Sequence, residues 1–141
     1  MQISGKQALC VVALMLCPPA IASDPCLHYG PEVFELVGIM RFRVYPGPPN
    51  FESVKAGDAP ENNWVLQLAR PICVTLSQPD PHGVNEPESG IQLLQLIQPD
   101  YKASRHLLGK RVKVKGHLLH AITGHHHTKV MLEVLSIEPA T

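Results

Sequence analysis

Apolar and polar residues alternate along several short stretches of the chain, which is the pattern of half-buried β-strands. A glycine at position 38 predicts a bend or bulge in the first stretch, and Pro71 predicts a kink or an edge position in the second. The last two stretches form a hairpin that carries the run His125-His126-His127 at its turn. Residues 91–98 fit a strand or a helix on pattern alone, and Gly90 and Pro99 limit their length, which favours a strand. The predicted strands are residues 31–44, 63–76, 91–98, 110–120 and 128–137.

A single short helix is predicted over residues 100–108, between the third and fourth strands. Asp100 can cap its first turn, Ala103 and Leu107 share a face, and Gly109 ends it. This order predicts an all-β protein: a small five-stranded OB-like barrel with one helix between strands 3 and 4. Ligands of that fold meet the face of strands 2 and 3 and the loops 1–2 and 4–5. Here those loops are residues 45–63, from Tyr45 to Asn63, and the histidine-rich hairpin tip.

The N-terminus predicts export. Lys6 precedes an apolar run that is too short to span a membrane, and Ala20-Ile21-Ala22 resembles a cleavage site. Residues 1–22 are therefore predicted to be a secretory signal peptide and residues 23–141 a single domain, periplasmic or secreted and free of the membrane after cleavage. The 12 basic and 12 acidic side chains balance, which argues against a nucleic-acid partner.

Two cysteines remain after the predicted cleavage, Cys26 and Cys73. An isolated pair in an oxidising compartment predicts a disulfide, worth on the order of 4 kcal/mol in the chain-entropy model. Two metal-ligating thiolates are the alternative, but the pair lacks the C-x-x-C spacing of such sites.

Four segments carry a resemblance to a known family: YPGPPNFESVKAGD, ENNWVLQL, RPICV and GHLLHAITGHHHT. With them, the chain resembles an exported bacterial family catalogued as domain of unknown function 4431, from about residue 26 to residue 137. The resemblance implies a bacterial, exported, small β-rich domain to which no activity is assigned. It implies no catalytic residue.

The histidines suggest a metal site, because neutral imidazoles bind zinc, copper and nickel. In an extended segment His125 and His127 project to the same side, and His120 lies across the turn. Asp58 or Glu61, on the other elaborated loop, could supply an oxygen ligand. These five residues are the predicted ligands of zinc or another divalent transition metal. The alternative is that the imidazoles are solvated or hydrogen-bonded to loop carbonyls.

Three residues near the same loop are predicted to contact a ligand: Asn50, Phe51 and Trp64, although core packing also explains the tryptophan. The resulting hypothesis is an exported, non-enzymatic binding module whose partner is a protein or a small molecule in the periplasm. An immunity or inhibitor protein that blocks a toxin or cell-wall enzyme is the alternative. A metal-dependent hydrolase ranks third, with Glu61 as its base, since the sequence contains no recognisable catalytic motif.

Overall fold

The computed structural model describes residues 25–141, so the predicted signal peptide, residues 1–22, lies outside the described residues. The described part contains six strands: β1 (Leu27–His28), β2 (Val33–Pro46), β3 (Pro60–Thr75), β4 (Glu88–Ile97), β5 (Arg111–His120) and β6 (Val130–Pro139). One helix, α1 (Tyr101–Ser104), lies between β4 and β5. None of the helices between residues 25 and 141 has the length and apolar character that a membrane crossing requires.

Five of these strands form a closed ring. The order around it is β3-β2-β5-β6-β4, and β4 pairs again with β3. All neighbours are antiparallel except β4 and β6, which pair in parallel only over Gln95, Leu96 and Ile97. The predicted all-β class, with a ring of five strands and a short helix between the third and fourth of them, is confirmed.

The core fills the inside of the ring with alternate side chains of its strands. Met40, Leu66, Leu94, Leu118 and Leu132 have no more than 1% of their surface exposed. Burying one such side chain contributes about 2 kcal/mol. A second buried row lies outside this core, where Gln95 pairs with Val65 on one side and Met131 on the other.

The first ring strand ends two residues later than predicted and the second begins three residues earlier, which shortens the loop between them. Tyr45 pairs with Glu61 and Pro46 with Pro60, so the loop spans residues 47–59 rather than 45–63. The prediction of a bulge at Gly38 is wrong, because both neighbours pair with β2 in continuous register there. Glycine is needed for another reason: a Cβ atom at position 38 would lie 2.5 Å from the carbonyl oxygen of Gln67.

Pro71 lies in an irregular part of β3, as predicted. The register between β3 and β4 shifts between Gln67 and Ile72 and again before Val74. Since proline cannot donate a backbone hydrogen bond, such a break in the ladder is where a strand tolerates it. The disulfide between Cys26 and Cys73 is confirmed. It joins the residue before β1 to β3, next to the parallel pairing of Leu27 with Val74.

The helix begins as predicted but is short. The Asp100 carboxylate accepts a hydrogen bond from the Ala103 N–H at 2.9 Å, and Gly109 takes a positive φ of 78° after the last turn. Residues Arg105–Leu107 form a 3₁₀ turn. That tighter turn changes the buried face, so Ser104 and Leu107 are buried and Ala103 is exposed, contrary to the predicted pairing of Ala103 with Leu107.

Candidate functional site

The loop of residues 47–59 is ordered around one carboxylate. Asp58 is buried, and its two oxygens accept hydrogen bonds from the backbone N–H groups of Asn50, Glu52 and Ser53 at 2.8–2.9 Å, and from the Asn50 side chain. These bonds hold the pKa of Asp58 below its ordinary value, the bond from Ser53 most strongly. The bonded residues Asn50 and Glu52 lie on either side of Phe51, whose φ of 59° is costly for a bulky residue.

The hairpin tip, residues 121–129, folds back over the outer face of β3 and β4. Gln95 is 4% exposed, and its side chain donates to Asn63 Oδ1 and to the His125 carbonyl and accepts from the His127 N–H. The Gln95 N–H donates to the Thr128 hydroxyl at 2.8 Å. The tip therefore covers the buried row formed by Val65, Gln95 and Met131.

Glu61 connects the two loops. Its carboxylate oxygens lie 2.6 Å from His125 Nδ1 and 2.8 Å from His127 Nε2. The Tyr45 ring stacks on His127 with 4.5 Å between centroids, and the Phe51 ring meets His125 edge-on at 5.1 Å. We call His125, His127 and Glu61 the tip cluster, and residues 47–59 together with 121–129 the loop surface.

The close fit of the loop surface depends on two glycines. A Cβ atom at Gly47 would lie 2.7 Å from Glu61 Cγ and Oε1. A Cβ atom at Gly124 would lie 3.1 Å from the Phe51 ring. Gly124 therefore admits the Phe51 ring of the proline-rich loop against the tip, and Gly47 leaves room for the Glu61 side chain that bonds to the tip histidines.

Hydrogen bonding determines the tautomers of the tip histidines. An ionised carboxylate only accepts, so His125 donates from Nδ1 and His127 from Nε2. The bond from His127 is the main reason that the pKa of Glu61 lies below its ordinary value. His126 instead accepts a hydrogen bond at Nδ1 from the Ile122 N–H, and burial lowers its pKa. The side chain of His125 is 61% exposed, and its Nε2 atom is left as an acceptor.

His120 belongs to a different group of side chains. Its Nε2 lies 3.4 Å from Glu88 Oε1, and its Nδ1 donates to the Ala121 carbonyl at 3.0 Å. The side chains of His120 and Glu88 are only 14% and 12% exposed. Ligand atoms of Glu86, Glu88 and His120 lie within 4.8 Å of one another. We call these three residues the strand-end cluster.

The structure therefore divides the predicted ligand set. It brings Glu61, His125 and His127 together, as expected from the two elaborated loops. His120 lies instead with Glu88, and the oxygens of Asp58 are taken by amides of its own loop. Of the predicted contact residues, Phe51 lies on the loop surface and Asn50 is bonded to Asp58. Trp64 is 6% exposed in the core, because it occupies an inward position on β3.

Sequence reasoning missed Gln95, Tyr45, Glu86 and Glu88. Gln95 had a signal, since it is a polar residue in the apolar run LLQLI of β4. Tyr45 was assigned to the loop because Pro46 follows it. Glu86 and Glu88 flank Pro87 in a polar segment that read as a loop, and nothing local connects them to a histidine more than thirty positions away.

Comparison with protein families gives one match. The model of a family described as a domain of unknown function, DUF4431, matches residues 91–138, which confirms the resemblance over that segment. The segment contains His120, His125 and His127, whereas Glu61, Glu86 and Glu88 precede it. No curated protein matches the chain.

Proposed function

We propose that the protein is a small exported binding module whose loop surface engages a protein or small-molecule partner. One observation carries the proposal: the Glu61 carboxylate bonds to His125 and His127, more than sixty residues later in the chain. Two loops that are far apart in the sequence thereby form one continuous surface. The order of the strands and the helix supports an OB-like ring, and in OB folds the loops corresponding to 47–59 and 121–129 bind ligands.

Both loops are held in place before any partner arrives. Asp58 organises the first through hydrogen bonds to its own amides, and Gln95 ties the second to β4. Ordering flexible loops is one of the main costs of association, so loops that are already ordered bind more tightly for the same contacts. The strained backbone of Phe51 supports the same conclusion, because such strain persists where surrounding structure imposes it and it is enriched at binding sites.

The accessible part of the site is the outer side of the loops. The tip covers the face between β3 and β4, so a partner meets the exposed groups of the loop surface instead. These include the acceptor nitrogen of His125 and the apolar side chains of Ile122 and Val54, 64% and 41% exposed. Apolar groups beside a fixed hydrogen-bond acceptor suit a partner that offers an apolar contact and a donor.

Export is supported by the disulfide. The Cys26–Cys73 bond is typical of proteins that mature in an oxidising compartment, where such bonds form and persist. The predicted signal peptide leads to the same location, and a periplasmic partner follows from it.

Affinity capture tests the proposed surface. Mature wild-type protein and the double variant Phe51→Ala with His125→Ala would be immobilised and incubated with periplasmic extract of the source bacterium. Retained proteins and small molecules would be identified by mass spectrometry. We expect a specific species on the wild type that the double variant loses by at least tenfold.

Leu135→Ser is the matched control, since Leu135 is 58% exposed on β6 and lies outside the loop surface. It should retain the same species as the wild type. Equal retention by the double variant, or no specific species on the wild type, would overturn the proposal.

A further inference from the structure

The strand-end cluster collects ligand groups from separate parts of the chain. His120 is the last residue of β5, Glu88 is the first of β4, and Glu86 lies two residues before it. Strands β4 and β5 are not neighbours in the ring, and β4 pairs with β6 only near its far end. These side chains therefore meet where the start of β4 is not hydrogen-bonded to β6.

The hydrogen bonds of His120 place one of its ring nitrogens against the Glu88 carboxylate. Its Nδ1 bonds to a carbonyl oxygen, which can only accept, so Nδ1 carries a proton. In the neutral imidazole Nε2 then has a lone pair, and that lone pair faces the Glu88 carboxylate at 3.4 Å. Two acceptors in contact at a nearly buried position repel each other unless a cation, either a proton or a metal ion, lies between them.

The surroundings have the features of a metal site. A histidine ligand usually donates its second ring nitrogen to a carbonyl or carboxylate, as His120 does to Ala121. The Tyr29 hydroxyl donates to the Glu86 carbonyl at 2.8 Å, and its ring meets His120 edge-on at 5.8 Å, which positions both residues.

We propose that Glu86, Glu88 and His120 bind a divalent transition-metal ion, of which zinc is the best-suited probe. Two ligands of tetrahedral zinc at about 2.1 Å are roughly 3.4 Å apart, which is the spacing of His120 Nε2 and Glu88 Oε1. One imidazole and two carboxylates leave a coordination position for water or for a group of a partner. The proposal is independent of the loop surface, because none of its three ligands belongs to it.

Lys129 is the natural competitor for this site. Its ammonium lies 3.1 Å from Glu88 Oε2, but the side chain is 71% exposed and can turn into solvent. A metal ion would have to displace this ammonium from Glu88, whose side chain is 12% exposed. Removing the lysine charge should therefore strengthen metal binding, which a purely structural salt bridge between Lys129 and Glu88 would not predict.

The test is calorimetric titration of tag-free mature protein with zinc at neutral pH. The background is the double variant His125→Ala with His127→Ala, so that the tip histidines cannot bind the metal. We expect one zinc per chain at micromolar concentration. Adding Glu88→Gln or His120→Ala should weaken binding at least tenfold, and adding Lys129→Ala should tighten it several-fold.

Two controls keep the result interpretable. Circular dichroism verifies that each variant is folded, and Glu86→Gln, at an exposed residue, reports on the site if a buried variant unfolds. X-ray absorption of the zinc complex should show only nitrogen and oxygen ligands, including one imidazole. Absence of zinc binding in both the background and its Lys129→Ala derivative, or binding unaffected by Glu88→Gln and Glu86→Gln, would overturn the proposal.

Discussion

The tip cluster and the strand-end cluster are made of the same residue types in opposite proportions. In the tip cluster two imidazoles share one carboxylate, and each donates one N–H to one of its oxygens. In the strand-end cluster two glutamates meet one imidazole whose donor is already used by a backbone carbonyl. In the first group each carboxylate oxygen accepts from an imidazole. In the second, Nε2 of the imidazole faces Glu88 Oε1, and the donor to Glu88 Oε2 comes from Lys129, outside the group.

Because of this difference, we base the proposed metal site on the groups around one histidine and not on the run of histidines. Three consecutive histidines attract attention in the sequence, yet two of them bond to Glu61 and the third accepts from a backbone N–H. The isolated His120 faces an acceptor instead. We therefore propose partner binding for the loop surface and metal binding for the strand-end cluster.

The largest expected effect comes from removing the disulfide with Cys26→Ala and Cys73→Ala. Urea denaturation should show a loss of about 4 kcal/mol in the free energy of unfolding. Because Cys26 precedes Tyr29 by three residues and the Tyr29 ring contacts His120, zinc affinity at the strand-end cluster should fall as well. The loop surface should be unaffected, so a variant that loses partner capture instead would contradict the separation of the two regions.

The next largest effect is expected for Gln95→Leu. This substitution leaves the His125 carbonyl and the His127 N–H without their partner, and the free energy of unfolding should fall by about 3 kcal/mol. Gln92→Leu, at an exposed position of the same strand, is the matched control and should change it by less than about 0.5 kcal/mol. Zinc affinity should be unchanged in both, and a loss in Gln95→Leu would show that the clusters are coupled.

Acid should weaken the tip cluster through Glu61. The pKa of this carboxyl is lower in the folded protein than its ordinary value of 4.5, so its stabilising contribution is complete above that pH. The contribution is lost as the pH falls from 4.5 through the folded pKa. Denaturation curves between pH 3 and pH 6, values chosen to span roughly the ordinary carboxyl range, should show less pH dependence for Glu61→Gln than for the wild type or for the exposed control Glu52→Gln.

The smallest effect on stability is expected for Gly47→Ala. The new methyl group displaces the Glu61 carboxylate, which should cost about 1 kcal/mol. Nitrogen-15 NMR of the imidazoles should show that His125 loses its preference for the proton on Nδ1, while His120 keeps its own. Gly124→Ala is the comparison variant, because it displaces Phe51 and leaves the bond between His125 and Glu61 in place; a loss of the preference there too would contradict this assignment.

Much of the fold could be predicted from local pattern. Alternating or β-branched runs identified four of the ring strands, and the flanking Gly90 and Pro99 favoured a strand over residues 91–98. Asp100 marked the start of the helix, and Pro71 marked an irregular part of β3. The boundaries of the first loop could not be predicted, because Tyr45 and Glu61 form a strand pair only when the partner segment is present. Gly38 was misread for the same reason, since its role is close contact with the neighbouring strand.

For the candidate site, the sequence by itself determined which functional side chains are present: imidazoles at one turn, carboxylates and an aromatic ring in another loop, and a pair of cysteines. It also determined that a closed ring would bring those two loops together, because ring order follows from strand order and helix position. Which carboxylate meets which imidazole was decided only by the tertiary structure. Asp58 accepts hydrogen bonds from amides of its own loop, Glu61 bonds to His125 and His127, and Glu88 contacts His120. These partners are determined by distance in the folded chain and not by spacing along it.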